Sequence, residues 1–266
     1  MDDNLIRVMT TNKEIRALAV RSTEVVKKAQ ELQNTTPVAT AALGRVLTAN
    51  LLMGSMVKTG EVTSLKIIGD GPLKKIVAEA NQYGNVRGYV ANPRIEYSEN
   101  KAGKLDVAGA IGKGKLIVRK KMGLKDPYEG QVPLISGEIG DDLTYYFTKS
   151  EQTPSSVGVG VLIGKDLSVK AAGGFIIQLL PDPSEETIDQ LEDNLAKIKS
   201  LSHLIEKGLS PEDLMDKLLD GFRYRITSEK EVAYRCNCNE SIIKNIIHGL
   251  GEEELEETLE QEGMVE

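Results

Sequence analysis

The stretch "PVATAALGRVLTANLLMGSMV", residues 37–57, decides how the rest of the chain is read. Thr36 stands ahead of it as a helix cap and Pro37 fits the first helical position, so the spacing predicts a helix. Ala39, Ala42, Leu43, Val46, Leu47, Ala49, Asn50, Met53 and Met56 crowd most of its circumference. Small residues with almost no charge predict a helix buried on more than one side. Its methionines read as core filling. An apolar surface this broad is also compatible with a partner subunit.

Upstream, Ile15, Leu18, Ala19, Ser22, Val25, Val26 and Ala29 fall near a 3.6 period and predict a second helix over 12–33. Downstream, the texture changes at Val62. "SLKIIG", "NVRGYV", "KLIVRK", "QVPLIS", "LTYYFT", "VGVGVLIG" and "GFIIQLL" are short, β-branched or aromatic, and bounded by turn formers. One piece between them, "LKKIVAEANQYG", reads as a helix. Helices followed by mostly consecutive strands argue for an α+β fold.

Beyond Pro181 and Pro183 the strands stop. Ser184 caps a helix with Glu185 and Glu186 in its first turn, and Ser210-Pro211-Glu212-Asp213 starts another. Ile188, Leu191, Leu195, Ile198 and Leu204–Ile205 form an apolar stripe; Leu214, Met215, Leu218 and Leu219 form the second apolar face. The expected organisation is residues 1–180 as a strand-rich core, 181–225 as an amphipathic helical linker and 226–266 as a small C-terminal module, with a helix from about Glu240.

Net charge is −7, but the last sixteen residues carry eight Glu and no Lys or Arg, so the acidity belongs to the tail. A near-neutral body with 4% aromatic residues and no Trp argues against nucleic-acid binding. No apolar run approaches the ~20 residues of a membrane span. The acidic N-terminus is not that of a signal peptide. The chain reads as soluble and cytoplasmic, where thiols stay reduced.

"GDGPLKK" and "IGKGK" invite a phosphate-loop reading, but neither completes GxxxxGK[ST], and both read as hairpin turns. "EIGDD" gathers Glu138, Asp141 and Asp142, a candidate acid pair or cation site that reads more simply as a polar turn between strands. His203 and His248 are the only histidines, and neither has a catalytic partner at motif spacing, which argues against a His-based enzyme. His203 reads as a linker-helix residue; His248, ten residues after Cys238, is a candidate metal ligand but reads more simply as a helix-surface residue.

That leaves Cys236 and Cys238, the chain's only cysteines, in "YRCNCNES" (Tyr234–Ser241). Residues i and i+2 of an extended segment face one side, so both sulfurs reach one zinc at ~2.3 Å but fill half of its tetrahedron. A disulfide across one residue is strained and readily reduced, which suits regulation. Two ordinary reduced thiols are the plain alternative. A thiol-disulfide oxidoreductase using both is another, although such enzymes favour CxxC at a helix N-terminus.

The chain resembles the thirty-three-kilodalton chaperonins, a family of redox-regulated heat-shock holdases. The resemblance rests on "TAALGRVLTANLLMGSMVK" (Thr40–Lys58), "GDGPL" (Gly69–Leu73), "VRGYVANP" (Val86–Pro93) and "GKLDVAGAIGKGKLIV" (Gly103–Val118). It continues through "GQVPLISGEIGDDLTYYFTKSEQTPSSVGVGVLI" (Gly130–Ile163), "AAGGFIIQLLP" (Ala171–Pro181), "RCNC" and "IHGLGEEEL". It implies a chaperone without enzymatic activity that binds unfolding client proteins without ATP and dimerises through its N-terminal domain. It also implies a CxC and a later CxxC that hold one zinc in the reduced, inactive state and form disulfides on activation. Cys236 and Cys238 match the first pair as zinc ligands and redox thiols; the stripe Ile188, Leu191, Leu195, Ile198 and Leu204 falls in the linker that activation releases. The second pair is missing, since the sequence ends 28 residues after Cys238, which reads as a chain cut short just before it. The zinc module is therefore expected to be incomplete here.

Overall fold

The computed structural model describes residues 2–121, 127–198 and 200–236, together with 241, 244, 247 and 249. Strand β1 (Asn4–Thr10) and strand β2 (Ile15–Arg21) come first, then helix α1 (Thr23–Gln33) and helix α2 (Pro37–Gly54). Strands β3 (Val62–Gly69), β4 (Lys75–Asn81) and β5 (Asn85–Val90) follow, then α3 (Val107–Ile111), β6 (Gly114–Lys121), β7 (Tyr128–Pro133) and α4 (Gly140–Lys149). Strands β8 (Ser155–Ile163) and β9 (Val169–Leu179) precede α5 (Glu185–Ala196), α6 (Leu201–Glu206), α7 (Pro211–Leu218), β10 (Tyr224–Glu231) and β11 (Ala233–Tyr234). The fold is α+β, with one sheet ordered β10-β1-β2-β9-β8 and a second ordered β11-β5-β4-β3-β6-β7. Among the described residues all strand pairings are antiparallel except β11 with β5. By contacts, Met1–Tyr234 form one compact unit and Arg235–Glu266 another.

Helix α2 behaves as its composition dictates: every residue except Pro37 and Arg45 is buried. It shares one core with Leu5, Leu18 and Val20 of the first sheet and Leu65, Ile67, Ile76 and Val118 of the second. Nearly all of its apolar circumference is used up inside the protomer, with Pro37 and Arg45 left half-buried. Thr36 bounds α2 but caps it with no side-chain bond; its hydroxyl instead accepts from the Ile95 N–H at 3.2 Å.

Four sequence expectations are corrected. Residues 12–21 are not helical: β2 occupies 15–21, and only 23–33 form the helix. "KIVAEAN" is strand β4, with Ile76, Ala78 and Ala80 inward in strict alternation. "LTYYFT" lies in α4, where Leu143, Tyr146 and Phe147 are buried at helical spacing. "IGKGK" leads from α3 into β6 and is no hairpin, whereas the "GDGP" turn does join the paired strands β3 and β4.

The "GDGP" turn is built for backbone contact. Gly71 N–H donates to Ile111 C=O at 2.9 Å, Leu73 N–H to Ala110 C=O at 3.1 Å and Asp70 N–H to Lys113 C=O at 2.9 Å. The amides a phosphate would need are already spent. A Cβ on Gly69 would lie 1.9 Å from the Ile111 carbonyl oxygen. Gly69→Ala is therefore expected to cost roughly 2–3 kcal/mol by forcing backbone apart, read as a thermal midpoint lowered by about 5–10 °C. An unchanged midpoint would contradict this packing.

Candidate functional site

The first sheet is buried on both faces, and that organises the site. Leu5, Leu18, Val20, Ala172 and Ile176 point to the core shared with α2. Ile6, Val8, Ile15, Ala17, Ala19, Phe175 and Ile177 point the other way, into a second core. The alternation follows from the pleat, and the continuous burial of β2 and β9 follows from having cover on both sides.

That cover comes from the predicted linker. Leu191 of α5 and Leu214, Met215 and Leu218 of α7, with Leu219 beyond it, are buried in the second core; Leu195, Ile198 and Leu201 pack against its edge. Ile188 and Leu204 are half-buried and stand outside that cluster. Ile205 of α6 is buried instead, and a Cβ on Gly173 of β9 would meet its Cδ1 at 2.4 Å. Three helices make up the segment where two were expected. Ser184 Oγ accepts from Thr187 N–H at 3.3 Å, and Ser210 Oγ from Asp213 N–H at 3.1 Å, so both capping signals act as read. The sequence pattern placed the helix side of this interface and, on the sheet side, the strand "GFIIQLL" in β9; it missed β1 and β2.

The linker leads back into the fold. Strand β10 pairs with β1, and Val232 N–H donates to Asp3 C=O at 3.1 Å. The Tyr234 hydroxyl donates to Gly88 C=O at 2.9 Å. Asp3 itself is buried, and its carboxylate accepts from Val25 N–H at 2.9 Å in the first turn of α1. Burial raises its pKa, opposed by that bond.

Cys236 follows two residues after Tyr234 and is exposed. Cys238, His248 and the acidic tail from 251 onward lie outside the described residues. Among the described residues no three His, Cys, Asp or Glu side chains gather in a way that suits a metal ion. The thiolate pair suits zinc in kind and supplies half of a tetrahedral set. The Glu138, Asp141 and Asp142 cluster is not a cation site: Asp142 is buried with backbone amides on both carboxylate oxygens, and Glu138 binds Arg45 at 2.5 Å. His203 is exposed on α6 beside Ser200 Oγ at 2.8 Å. No helix among the described residues is long and apolar enough to cross a membrane.

Comparison with known proteins places this arrangement. Residues 3–266 match the model of the family described as Hsp33 protein. The 33 kDa chaperonin of Geobacillus kaustophilus is 48% identical over 100% of this chain and 91% of its own length. That of Bacillus subtilis is 44% identical over 99% of this chain and 91% of its own. The crystal structure of the heat shock protein 33 homolog from Thermotoga maritima superposes with a TM-score of 0.90 at 37% identity, over 98% of this chain and 89% of that one.

Proposed function

The chain belongs to the Hsp33 protein family, and from that premise we propose that it is a chaperone that holds unfolding proteins without ATP and is switched on by oxidation of Cys236 and Cys238. The observation that carries the reading is the second core. An apolar sheet face, with Ile6, Val8, Ile15, Phe175 and Ile177, is covered by amphipathic helices that have little else to hold them. A helix of eight to twelve residues is marginal alone in water. The cover is thus the low-stability layer of the molecule, and lifting it exposes apolar surface on both sides at once.

The sequence places the thiols at the far end of the same connection. Within the expected division, 181–225 serve as the releasable linker and 1–180 as core and dimerisation domain; of the expected module 226–266, strands β10 and β11 belong with the core, so the redox module proper begins at about residue 235. In the resting state the reduced thiolates of Cys236 and Cys238 would hold one zinc if two further ligands completed the set. When bound, zinc would supply folding free energy to a small module with little core of its own. Clients are unfolded chains in the cytoplasm, the protein acts as a homodimer, and nucleic acid and membrane play no part.

The test follows aggregation of a heat-unfolded enzyme by light scattering, with the chain either kept in reductant or treated with peroxide at elevated temperature. Suppression is expected after oxidation, and Cys236→Ser is expected to remove the difference between the two treatments. A chain that never suppresses aggregation ends the chaperone reading. One that suppresses it equally in both redox states, with or without the thiol, leaves a chaperone with no redox switch. Thiol-bound zinc is counted separately by dye chelation on addition of a mercurial.

A further inference from the structure

We propose that the open edge of β8 takes up an extended, acidic stretch of unfolded client chain as an added strand; this rests on the chaperone reading and names a second place where a client is held. Strand β8 ends its sheet, with β9 as its only strand neighbour among the described residues. Val157 N–H donates to Thr144 Oγ1 at 3.1 Å, away from β9. Ala172, opposite Val161, spends both main-chain groups on its far side. Its N–H goes to Thr23 Oγ1 at 3.1 Å and its C=O accepts from Ser22 N–H at 2.9 Å. Two independent contacts thus mark Val157–Ile176 and Val161–Ala172 as the non-hydrogen-bonded pairs of the ladder. By alternation, Val159 and Val161 aim their N–H and C=O groups off the sheet. Among the described residues, no strand and no side chain takes the groups of Val161 or the carbonyl of Val159.

Natural edges are blunted by charge, proline or short length. The sequence of β8, SSVGVGVLI, is nine residues long with neither charge nor proline. Its second half instead lines a groove of about 760 Å³. Pro37 and Ala41 of α2 form one wall, Tyr97 and Leu105 a second, and Leu201 at the start of α6 a third. Lys104 and Lys165 stand in the lining, which holds no Asp or Glu. Arg45 is neutralised by Glu138, but Lys104 and Lys165 have no ion-pair partner among the described residues. Main-chain pairing gives affinity with little demand on sequence, as a chaperone requires, and the two lysines select carboxylates at the flanks. Because α6 is one wall, releasing the linker widens the groove, which couples this edge to the same switch.

The probe is a fluorescein-labelled nonapeptide of alternating Glu and Val, titrated onto the whole oxidised chain by anisotropy. Three comparisons follow: N-methylation of alternate peptide amides, Lys in place of each Glu, and the surface variant Lys104→Glu/Lys165→Glu. Each is expected to weaken binding about tenfold or more, the first through lost main-chain bonds and the others through charge. Saturating peptide is expected to slow deuterium exchange at the Val161 amide. Equal affinity for the N-methylated or Lys peptide, no effect of the charge variant, or unchanged exchange at Val161 would each overturn the proposal. So would a Val161 amide already protected in the free chain, which would mean that a second copy or the chain's own segment fills the edge. Aggregation suppression without peptide binding refutes only the edge. Peptide binding without suppression in any redox state refutes the chaperone reading instead.

Discussion

Replacing Leu191 and Leu218 with Ser is expected to free the linker helices while leaving the body of the protein folded. Leu218 is fully buried and Leu191 is 5% exposed, and both face the second core. Each truncation removes roughly 2–5 kcal/mol of packing, with the hydroxyl adding a buried polar group. Short helices that owe their stability to that face will not stay docked after such a loss. The core around α2 takes no residue from α5, α6 or α7, so it survives. Limited proteolysis should cut the 184–222 segment at least about tenfold faster than in the parent chain, since cleavage follows the population of the open form. The melting transition of the two-sheet core should remain. Light scattering then reports which face binds clients. Suppression without oxidant assigns clients to the sheet side, with Ile6, Ile15, Phe175 and Ile177. Rapid cutting with no suppression assigns them to the helix side that the serines have spoiled. Equal cutting of variant and parent would refute the view that this apolar face is what holds the linker down.

Where the sequence misled, it did so for identifiable reasons. Strand β2 has cover on both faces, so Ile15, Ala17 and Ala19 on one side and Leu18 and Val20 on the other are all apolar. Burial on both sides erases the period of two, and what remains passes for a helix. Strand β4 failed in the opposite sense. Its alternation of Ile76, Ala78 and Ala80 is clear, but Lys, Ala and Glu are helix formers, and pairing with β3 and β5 overrode that preference. In α4 the aromatic and β-branched composition suggested a strand, while the spacing of Leu143, Tyr146 and Phe147 carried the right answer. The long helix α2 was legible because burial all round and a proline start are strong signals together. The linker stripe was legible because one of its faces is wet. Its docking partner was legible in outline, as the strand-rich domain, but not in detail, because that surface joins β1 and β2, which were read as other structure, to the distant strand β9.

Asp142 is expected to prove the most stability-critical carboxylate in the chain, although in the sequence it looked like one acid of a polar turn. It is fully buried at the start of α4. Its Oδ1 accepts from Ile135 N–H at 2.7 Å, Ser136 N–H at 3.0 Å and Gly137 N–H at 3.4 Å. Its Oδ2 accepts from Ile139 N–H at 3.1 Å. One side chain thus satisfies four of the turn's five amides from 135 to 139, and that turn holds Ile139 at φ 62°, a left-handed conformation a β-branched residue rarely adopts. Such backbone persists only where the surroundings over-determine it. Asp142→Ala strips the acceptors from four amides and frees a strained turn, with an expected loss of about 3–5 kcal/mol. For a domain of this size that lowers the thermal midpoint by about 10 °C. Asp142→Asn keeps one acceptor oxygen but turns an N–H₂ toward another amide donor, so it should fall in between. Asp141, its exposed neighbour, is the control: Asp141→Asn should stay within about 0.5 kcal/mol of the parent. Deuterium exchange at Ile135 and Ser136 separates this role from cation binding or acid–base chemistry. A structural acceptor predicts that protection there is lost together with stability. A variant at Asp142 that melts like the parent and keeps those amides protected would show that the turn holds itself and that the carboxylate is there for something else.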